Sequence, residues 1–415
     1  MTAQGIRGEH LLRSGARFSS PPGFFARLTA PGFATIIDRI DRGIVAGSVR
    51  ALLPDGTTRV LGNRQPGFDV EVTLIRWRAL VRLVTAGSIG WYQAYEAGDW
   101  EADDMTALFA LFTANARTLG DTGRSSGPAR FISRMVHRLN RNSRSGSARN
   151  IAAHYDLGND FYSAWLDPTM TYSSAIAPDK GGLEAGQRRK LDAMAHRIDG
   201  ANSVLEIGCG WGALARRLAR DGAKVTAISL SDEQLSWARD NTPPNIADDI
   251  DFIRRDYRDL TGTYDAIVSV EMVEALGREN WPDFMDRIAR HLRPGGRAAI
   301  QFISLADDLF ESYARSVDFI QAFVFPGGML IKASEFRALA QEHGLAWVEG
   351  HSFGHDYAKT LKAWRQSFDR AVAEGRLPQG FDARFVRLWR YYLSYCEGGF
   401  RSGMIDVHQV TLVKD

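Results

Sequence analysis

The sequence predicts an α/β protein: a doubly wound sheet in its C-terminal part, preceded by a smaller α+β domain. Three observations carry that expectation. From about residue 200, short apolar β-rich runs alternate with helical stretches, the pattern of strand–helix–strand crossovers. One of those runs leads directly into a glycine-rich turn and a helix, "VLEIGCGWGALARRLA", so a ligand is expected at the carboxyl ends of the strands. At 415 residues, the chain also exceeds the roughly 250–300 residues that one core usually fills.

Residues 1–118 read as one domain, expected to associate with lipid or membrane, with a partner subunit as the other use of its apolar patches. "GSVRALLPDGTTRVLG" suggests two short strands around an Asp55–Gly56 turn. "LIRWRALVRLVTAG" has helical spacing, with Leu74, Trp77, Val81 and Val84 on one side. "EADDMTALFALFTANA" reads as a helix with acids in its first turn, where the dipole favours them.

Residues 119–150 read as a basic linker. Within it, seven arginines (124, 130, 134, 138, 141, 144 and 149) surround a short apolar set, and no acid interrupts them. Such a segment is either a solvated linker or a contact for anionic lipid headgroups, where each arginine contributes ~1 kcal/mol.

Residues 151–415 read as the catalytic domain. Its expected strands are "SVLEIGCG", "KVTAISLS", "IDFIRRD", "YDAIVSVEM" and "GRAAIQFIS"; "WGALARRLARDG" and "NWPDFMDRIARHL" are helices between them.

Bulk composition narrows the function classes. A formal net charge of +2 is too small to imply nucleic acid or membrane binding by itself, and no nucleic-acid partner is expected. Cys209 and Cys396 are the only cysteines; they match no metal or disulfide framework, which suits a reducing cytoplasmic setting. The N-terminus lacks the apolar core of a signal peptide. No segment reaches the ~18–20 uninterrupted apolar residues of a membrane span, so any membrane contact is expected to be peripheral.

The glycine-rich turn is the cofactor candidate. Gly208 and Gly210 allow close backbone approach, and Gly212 opens the following helix. The spacing is G-x-G-x-G, unlike that of dinucleotide binders, and no acid ends the next strand. Glu206, two residues ahead of Gly208, suits S-adenosylmethionine (SAM), whose charged amino acid part needs a carboxylate nearby. Asp256 ends the third strand, where it can accept from an adenine amine, and Tyr257 can stack on the ring.

The segments "AAHYDLGNDFYSAWLDPTMTYSSA", "VLEIGCGWGALA", "ISLSDEQ", "DYRDLTGTYDAIVSVEMVEALG", "FPGG", "DYAKTLKAW" and "YYLSYCEGGFRSGMIDVHQV" resemble, in order, the cyclopropane-fatty-acyl-phospholipid synthase family and its mycolic acid relatives. The resemblance implies a class I SAM-dependent methyltransferase with a Rossmann-like sheet. The implied reaction is methyl transfer to a double bond in an unsaturated phospholipid acyl chain, followed by cyclopropane closure. It also implies cytoplasmic work at the membrane surface, with a homodimer as one outcome. By motif, Tyr172 and Ser173 fall where the family holds the SAM amino acid part, and Gln234 at its ribose. Glu274 and Tyr357 fall at the active-site acid and phenol, which in the family help to hold a bicarbonate ion that takes the proton.

Two departures bear on the product. Better-known cyclopropane synthases carry Cys at Ser174 and His at Gln301, and Gln cannot become cationic to hold an anion. Glu271 also replaces a small residue, and Ala275 stands after the active-site acid. The added carboxylate either repels bicarbonate, takes the proton itself as general base, or points away as a solvated or capping residue. Loss of the proton from another carbon gives a methyl- or methylene-branched chain without a ring. Two further readings compete: a methyltransferase for a small polar molecule or a protein, and a non-catalytic lipid-binding protein that kept the fold. An alkene methyltransferase also wants aromatic faces for its cation; Tyr172, Phe323, Phe325, Tyr391, Tyr392 and Tyr395 are candidates, with plain core packing as the alternative.

Overall fold

A computed structural model describes residues 7–16, 32–120 and 157–415. The arginine-rich segment 124–149 lies outside the described residues. The chain divides into two compact units: 1–140 with 308–326 and 379–404, and 141–307 with 327–378 and 405–415. The expected single boundary around 119–150 therefore misses two later segments that pack with the N-terminal unit.

In the first unit, strands β1 (Ala46–Leu52), β2 (Thr58–Gly62), β3 (Gln65–Leu74) and β4 (Trp100–Ala102) form a sheet in the order β2-β1-β3-β4. The β1–β2 turn is closed by Asp55, whose carboxylate accepts from the amide and hydroxyl of Thr57 at 3.0 and 2.7 Å. Leu74 ends β3 rather than starting a helix, and the helix runs Arg78–Glu96. In the next helix, Met105–Ala114, the expected first-turn acid is instead the cap: Asp104 accepts from the amide of Ala107 at 2.9 Å.

The helix Ala383–Arg401 packs on Met105–Ala114 so closely that a Cβ at Gly398 would lie 2.5 Å from Cβ of Phe109. This contact explains why residues 379–404 join the first unit. Phe323, Tyr391 and Tyr395 pack there too: Tyr92 meets Phe323 and Tyr391 at 4.5 and 5.0 Å, and Phe109 meets Tyr395 at 5.1 Å. Phe325 and Tyr392 belong to the same unit. The plain core reading holds for Phe323, Tyr391 and Tyr392, which are buried, while Phe325 and Tyr395 are half-buried at the edge of that core.

The second unit is built on seven strands: β5 (Ser203–Ile207), β6 (Lys224–Ser229), β7 (Ile250–Arg254), β8 (Tyr264–Val270), β9 (Leu292–Leu305), β10 (Leu345–Ser352) and β11 (Ile405–Lys414). Their order is β10-β11-β9-β8-β5-β6-β7. Strands β5 to β9 are parallel, while β11 runs antiparallel to both β9 and β10. The chain leaves β5 towards β6 and β7, then crosses back to β8, and such a reversal opens a crevice at the carboxyl strand ends. Helices Gly182–His196, Ala213–Arg220 and Asp232–Asp240 cover one face, where Leu191, Met194, Leu214, Leu218 and Leu235 form a continuous core with Val204 and Val225. Each such side chain contributes ~1.5–3 kcal/mol on burial. Among the described residues, no helix is long and apolar enough to cross a membrane.

The first unit is tied by one buried acid. Asp99 has no exposed surface and accepts from Arg76, Arg78 and Arg82 at 2.6–3.2 Å. Burial pushes its carboxyl up, but the hydrogen bonds from Arg78 and Arg76 outweigh that and leave it below the ordinary value. Asp99→Ala should destabilise the protein by ~2–3 kcal/mol, the range for hydrogen bonds to charged groups. An unchanged denaturant midpoint would show that the arginines find equivalent partners in water.

Candidate active site

The carboxyl ends of β5, β6 and β8 surround an open cavity. Its floor is the glycine-rich turn. The amides of Gly208 and Cys209 both donate to the carbonyl of Ile228 at 3.0 Å, which locks the turn to the end of β6. A Cβ at Gly210 would meet nothing within 4 Å, so this backbone faces open space. Gly212 sits at φ +76, and a Cβ there would stand 2.8 Å from the ring of Phe252. The turn thus needs glycine both for ligand approach and for packing its helix.

Of the expected cofactor residues, Tyr172, Ser173, Glu206, Gly208, Gly210, Gln234 and Tyr257 line the cavity. Glu206 is buried, and its Oε2 has no hydrogen-bond partner among the described residues. Burial raises its carboxyl to about 8, against the opposing pull of Arg216 and Lys190. Gln234 takes a weak bond from the hydroxyl of Ser229 at 3.3 Å, and its Nε2 is likewise without a partner. Buried polar atoms left unpaired in a cavity wall cost free energy until a ligand satisfies them. One acceptor and one amide donor in such positions fit the ammonium and ribose of SAM. The ring of Tyr257 packs edge-on against Phe284 at 5.6 Å.

Asp256 is not on the lining. Its carboxylate is held by Arg258, from Nε at 2.8 Å and Nη2 at 2.6 Å, and it caps the short turn Tyr257–Asp259. Both oxygens accept from Arg258, which fixes the carboxylate's orientation at the end of the third strand.

The proposed catalytic residues converge on Glu271. One carboxylate oxygen accepts from the amide of Ser174 at 2.8 Å and from Nε2 of Gln301 at 2.7 Å. The other accepts from the hydroxyl of Tyr357 at 2.7 Å. Glu271 lines the cavity, whereas Ser174, Gln301 and Tyr357 do not; they stand behind its carboxylate. The orientation of Gln301 is set further back. Gln409 Nε2 donates to the carbonyl of Lys190 at 3.4 Å and to Gln301 Oε1 at 3.0 Å, leaving Nε2 of Gln301 for Glu271. The hydroxyl of Ser174 donates to the neighbouring carbonyl of Ala175 at 3.2 Å.

Glu271 itself is strained. Its φ is +51, a left-handed conformation that costs a non-glycine residue roughly 1–2 kcal/mol. Its amide donates to the carbonyl of Gln301 at 2.8 Å, so β9 holds both ends of the residue. Burial raises its carboxyl above the ordinary value, opposed by Tyr357, Ser174, Lys190 and Gln301.

Glu274, expected at the active-site acid, stands behind the cavity wall, near enough to Glu271 to feel its charge. It accepts from the amide of Ile303 through Oε1, does not line the cavity, and does not meet Tyr357. Its Oε2 is buried without a partner among the described residues, and burial, then the charge of Glu271, raises it to about 8. The acid that pairs with Tyr357 is therefore Glu271.

Lys190 was not singled out by sequence, yet it is fully buried on the cavity wall. Its Nζ donates to Ser173 Oγ at 2.6 Å. Burial lowers it to about 8, while Glu271, Asp167 and Glu206 pull it upward. On the same helix, Gln187 donates to the carbonyls of Thr171 and Ser173 at 3.3 and 2.8 Å. The legible signal was spacing: Gln187 and Lys190 fall on the helix face that also carries Leu191 and Met194. Polar residues on an apolar face call for partners.

The profile of the family described as mycolic acid cyclopropane synthetase matches residues 142–410. The chain is 35% identical over 392 residues to a tuberculostearic acid methyltransferase of Mycobacterium tuberculosis, covering 88% of each protein. It is 33% identical over 340 residues to the cyclopropane-fatty-acyl-phospholipid synthase of Escherichia coli, covering 79% of this chain and 84% of that one. The crystal structure of mycolic acid cyclopropane synthase CmaA1 complexed with SAH and CTAB superposes with a TM-score of 0.60 at 28% identity, over 64% of this chain and 98% of the other.

Glu206→Gln tests the cofactor site. Calorimetry should find SAM binding weakened about tenfold or more, the scale of one charge-assisted hydrogen bond; unchanged affinity would remove Glu206 from the site. The same variant should alter stability with pH. A carboxyl raised to about 8 contributes stability that is present below the ordinary glutamate value and lost as pH rises through the raised one. Without ligand, the wild type should therefore lose stability relative to Glu206→Gln between about pH 5 and pH 8.

Proposed function

We propose, since the chain belongs to the mycolic acid cyclopropane synthetase family and is a SAM-dependent methyltransferase of lipid acyl chains, that its substrate is an unsaturated fatty acyl chain of a membrane phospholipid. The observation that carries this reading is the carboxylate of Glu271, presented to the cofactor cavity by Ser174, Gln301 and Tyr357. A methyl acceptor with a lone pair needs little more than alignment. An alkene gains a cation on methylation and must then lose a proton to a positioned group.

SAM supplies an electrophilic methyl when bound. Glu206 and Gln234 hold its polar ends, and Tyr172 lines the same cavity beside Ser173. The ring of Tyr172 is fixed by Trp364 at 5.1 Å, Tyr162 at 5.4 Å and Trp165 at 5.7 Å. An aromatic face of this kind stabilises positive charge when water is excluded. Holding the alkene against the methyl supplies much of the rate.

Ring closure after methylation gives a cyclopropane chain, the product named for the E. coli relative. A second reading, a methyl- or methylene-branched chain, is favoured by Glu271 standing where the resemblance to cyclopropane synthases implies a small residue, and by the similarity to a tuberculostearic acid methyltransferase. Access is proposed from the inner membrane surface through the arginines of 124–149.

Incubation with unsaturated phospholipid vesicles and SAM carrying a trideuterated methyl should yield labelled acyl chains by mass spectrometry. A ring or a methylene branch keeps all but one deuteron, a methyl-branched alkene keeps every one, and proton NMR separates ring from methylene. Absence of labelled lipid would overturn the reading. Replacing the seven arginines of 124–149 with glutamine should weaken binding to anionic vesicles by about a hundredfold or more, since each contributes ~1 kcal/mol near such a surface. Equal co-sedimentation of the two proteins would dispose of the membrane role.

A further inference from the structure

We propose that Glu271 is the base of the reaction, its tethered carboxylate standing where the family resemblance puts a diffusible bicarbonate ion. The inference rests on the methyl-transfer reading above and deepens it.

The residues present do not fit a separate anion. The donors that would hold one are the amide of Ser174, Nε2 of Gln301 and the hydroxyl of Tyr357, and Glu271 already accepts from all three at 2.7–2.8 Å. Its carboxylate fills the space between those donors and the cavity. The Ser174 hydroxyl is turned to a backbone carbonyl, and Gln301 carries no charge to offer. A second anion would also meet the carboxyl of Glu271 on the cavity wall, where like charges oppose ionisation.

The backbone supports the same conclusion independently. A left-handed φ of +51 at position 271 suits glycine. A glutamate held there against that preference, with its amide and carboxylate both bound to Gln301, is the kind of strain that accompanies function. Three donors to the carboxylate favour its ionised, proton-accepting form.

The step balances without a further reactant. The alkene π pair forms the bond to the methyl carbon as the sulfur–methyl bond breaks, its pair remaining on sulfur. Positive charge is left on the other alkene carbon. A C–H bond beside that centre then breaks, and its proton passes to Glu271. The electron pair closes a cyclopropane if the C–H belonged to the new methyl, and forms a carbon–carbon double bond within the chain if it belonged to a chain carbon next to the cation. Where a hydride first shifts from the methyl-bearing carbon to the cation, loss of a methyl proton forms the methylene branch. Protonated Glu271 returns its proton to water when product leaves.

The test titrates ¹³C-labelled bicarbonate into the full-length wild type, Glu271→Gly and Glu271→Gln, reading binding by carbon NMR. Methyl transfer to phospholipid vesicles is measured in parallel, with bicarbonate depleted and restored. Wild type should bind no bicarbonate, and its rate should change less than about twofold on addition, while Glu271→Gln should lose roughly 10²–10⁴-fold in rate, the contribution of a positioned base. Glu271→Gly, whose φ needs no strain, should bind bicarbonate and recover at least about tenfold of a comparable loss when it is restored. Calorimetric SAM binding verifies that both variants are folded. Bicarbonate binding or acceleration in the wild type, or near-normal turnover by Glu271→Gln, would overturn the proposal. If the wild type yields no methylated lipid, the preceding reading fails alone, and the binding measurement still decides this one.

Discussion

A single buried ammonium holds the site together. Lys190 has its charge surrounded by Glu271, Asp167 and Glu206, and it is anchored to Ser173 at 2.6 Å. Each of those acids is pushed upward by burial, and Lys190 opposes that push in every case. Isolated buried carboxylates would take up protons instead of staying charged. Helix Gly182–His196 must therefore dock with its lysine inward, and it does so through Gln187 and Leu191. The carboxyls of Glu206 and Glu271 line the cavity beside Lys190; they suit a ligand with a sulfonium and an ammonium, and a reaction that generates further positive charge.

The segment Thr171–Ala175 is where the two chemistries meet. Gln187 holds its carbonyls, Lys190 holds the Ser173 hydroxyl, and Thr360 accepts from the amide of Ala175 at 3.1 Å. Thr360 lies one turn beyond Tyr357 on the helix Gly354–Ala373, so the same helix positions the segment and the phenol that meets Glu271. Cofactor residues and proton-transfer residues are consequently one rigid assembly. Preorganisation of this kind avoids rearrangement at the moment of reaction.

Much of the fold was legible because it rests on local signals. The strands β5 to β9 and the glycine turn follow from apolar runs and from the positive-φ needs of Gly208, Gly210 and Gly212. Less legible were features that depend on long-range packing. The exchange of 308–326 and 379–404 into the first unit leaves no trace in periodicity, because an aromatic face reads alike whichever core it enters. The assignment of Glu274 followed from motif position, whereas which of two acids three residues apart reaches Tyr357 depends on the backbone twist at residue 271. A positive φ at a glutamate cannot be read from residue type. The pairing of Asp256 with its neighbour Arg258 and its place off the cavity lining are equally invisible in residue type. Lys190 had a visible signal, a charged residue on an apolar helix face.

Placing a carboxylate on the chain where a dissolved anion could serve changes what the site can do. A tethered group has an effective concentration that no free ion reaches, and its position relative to the substrate is fixed. The roughly 1–2 kcal/mol of backbone strain at residue 271 is small against the ~10²–10⁴-fold in rate that a well-placed base supplies. The tether also carries a constraint that a diffusible anion lacks. Fixed by three donors and by β9, the Glu271 carboxylate presents its oxygens from one direction, so it reaches some of the hydrogens around a methylated cation and not others. Which hydrogen it reaches decides between ring and branch. A substitution far from the acyl chain, behind Glu271 at Ser174, Gln301 or Tyr357, thus acts on the product as well as the rate, because those residues aim the base.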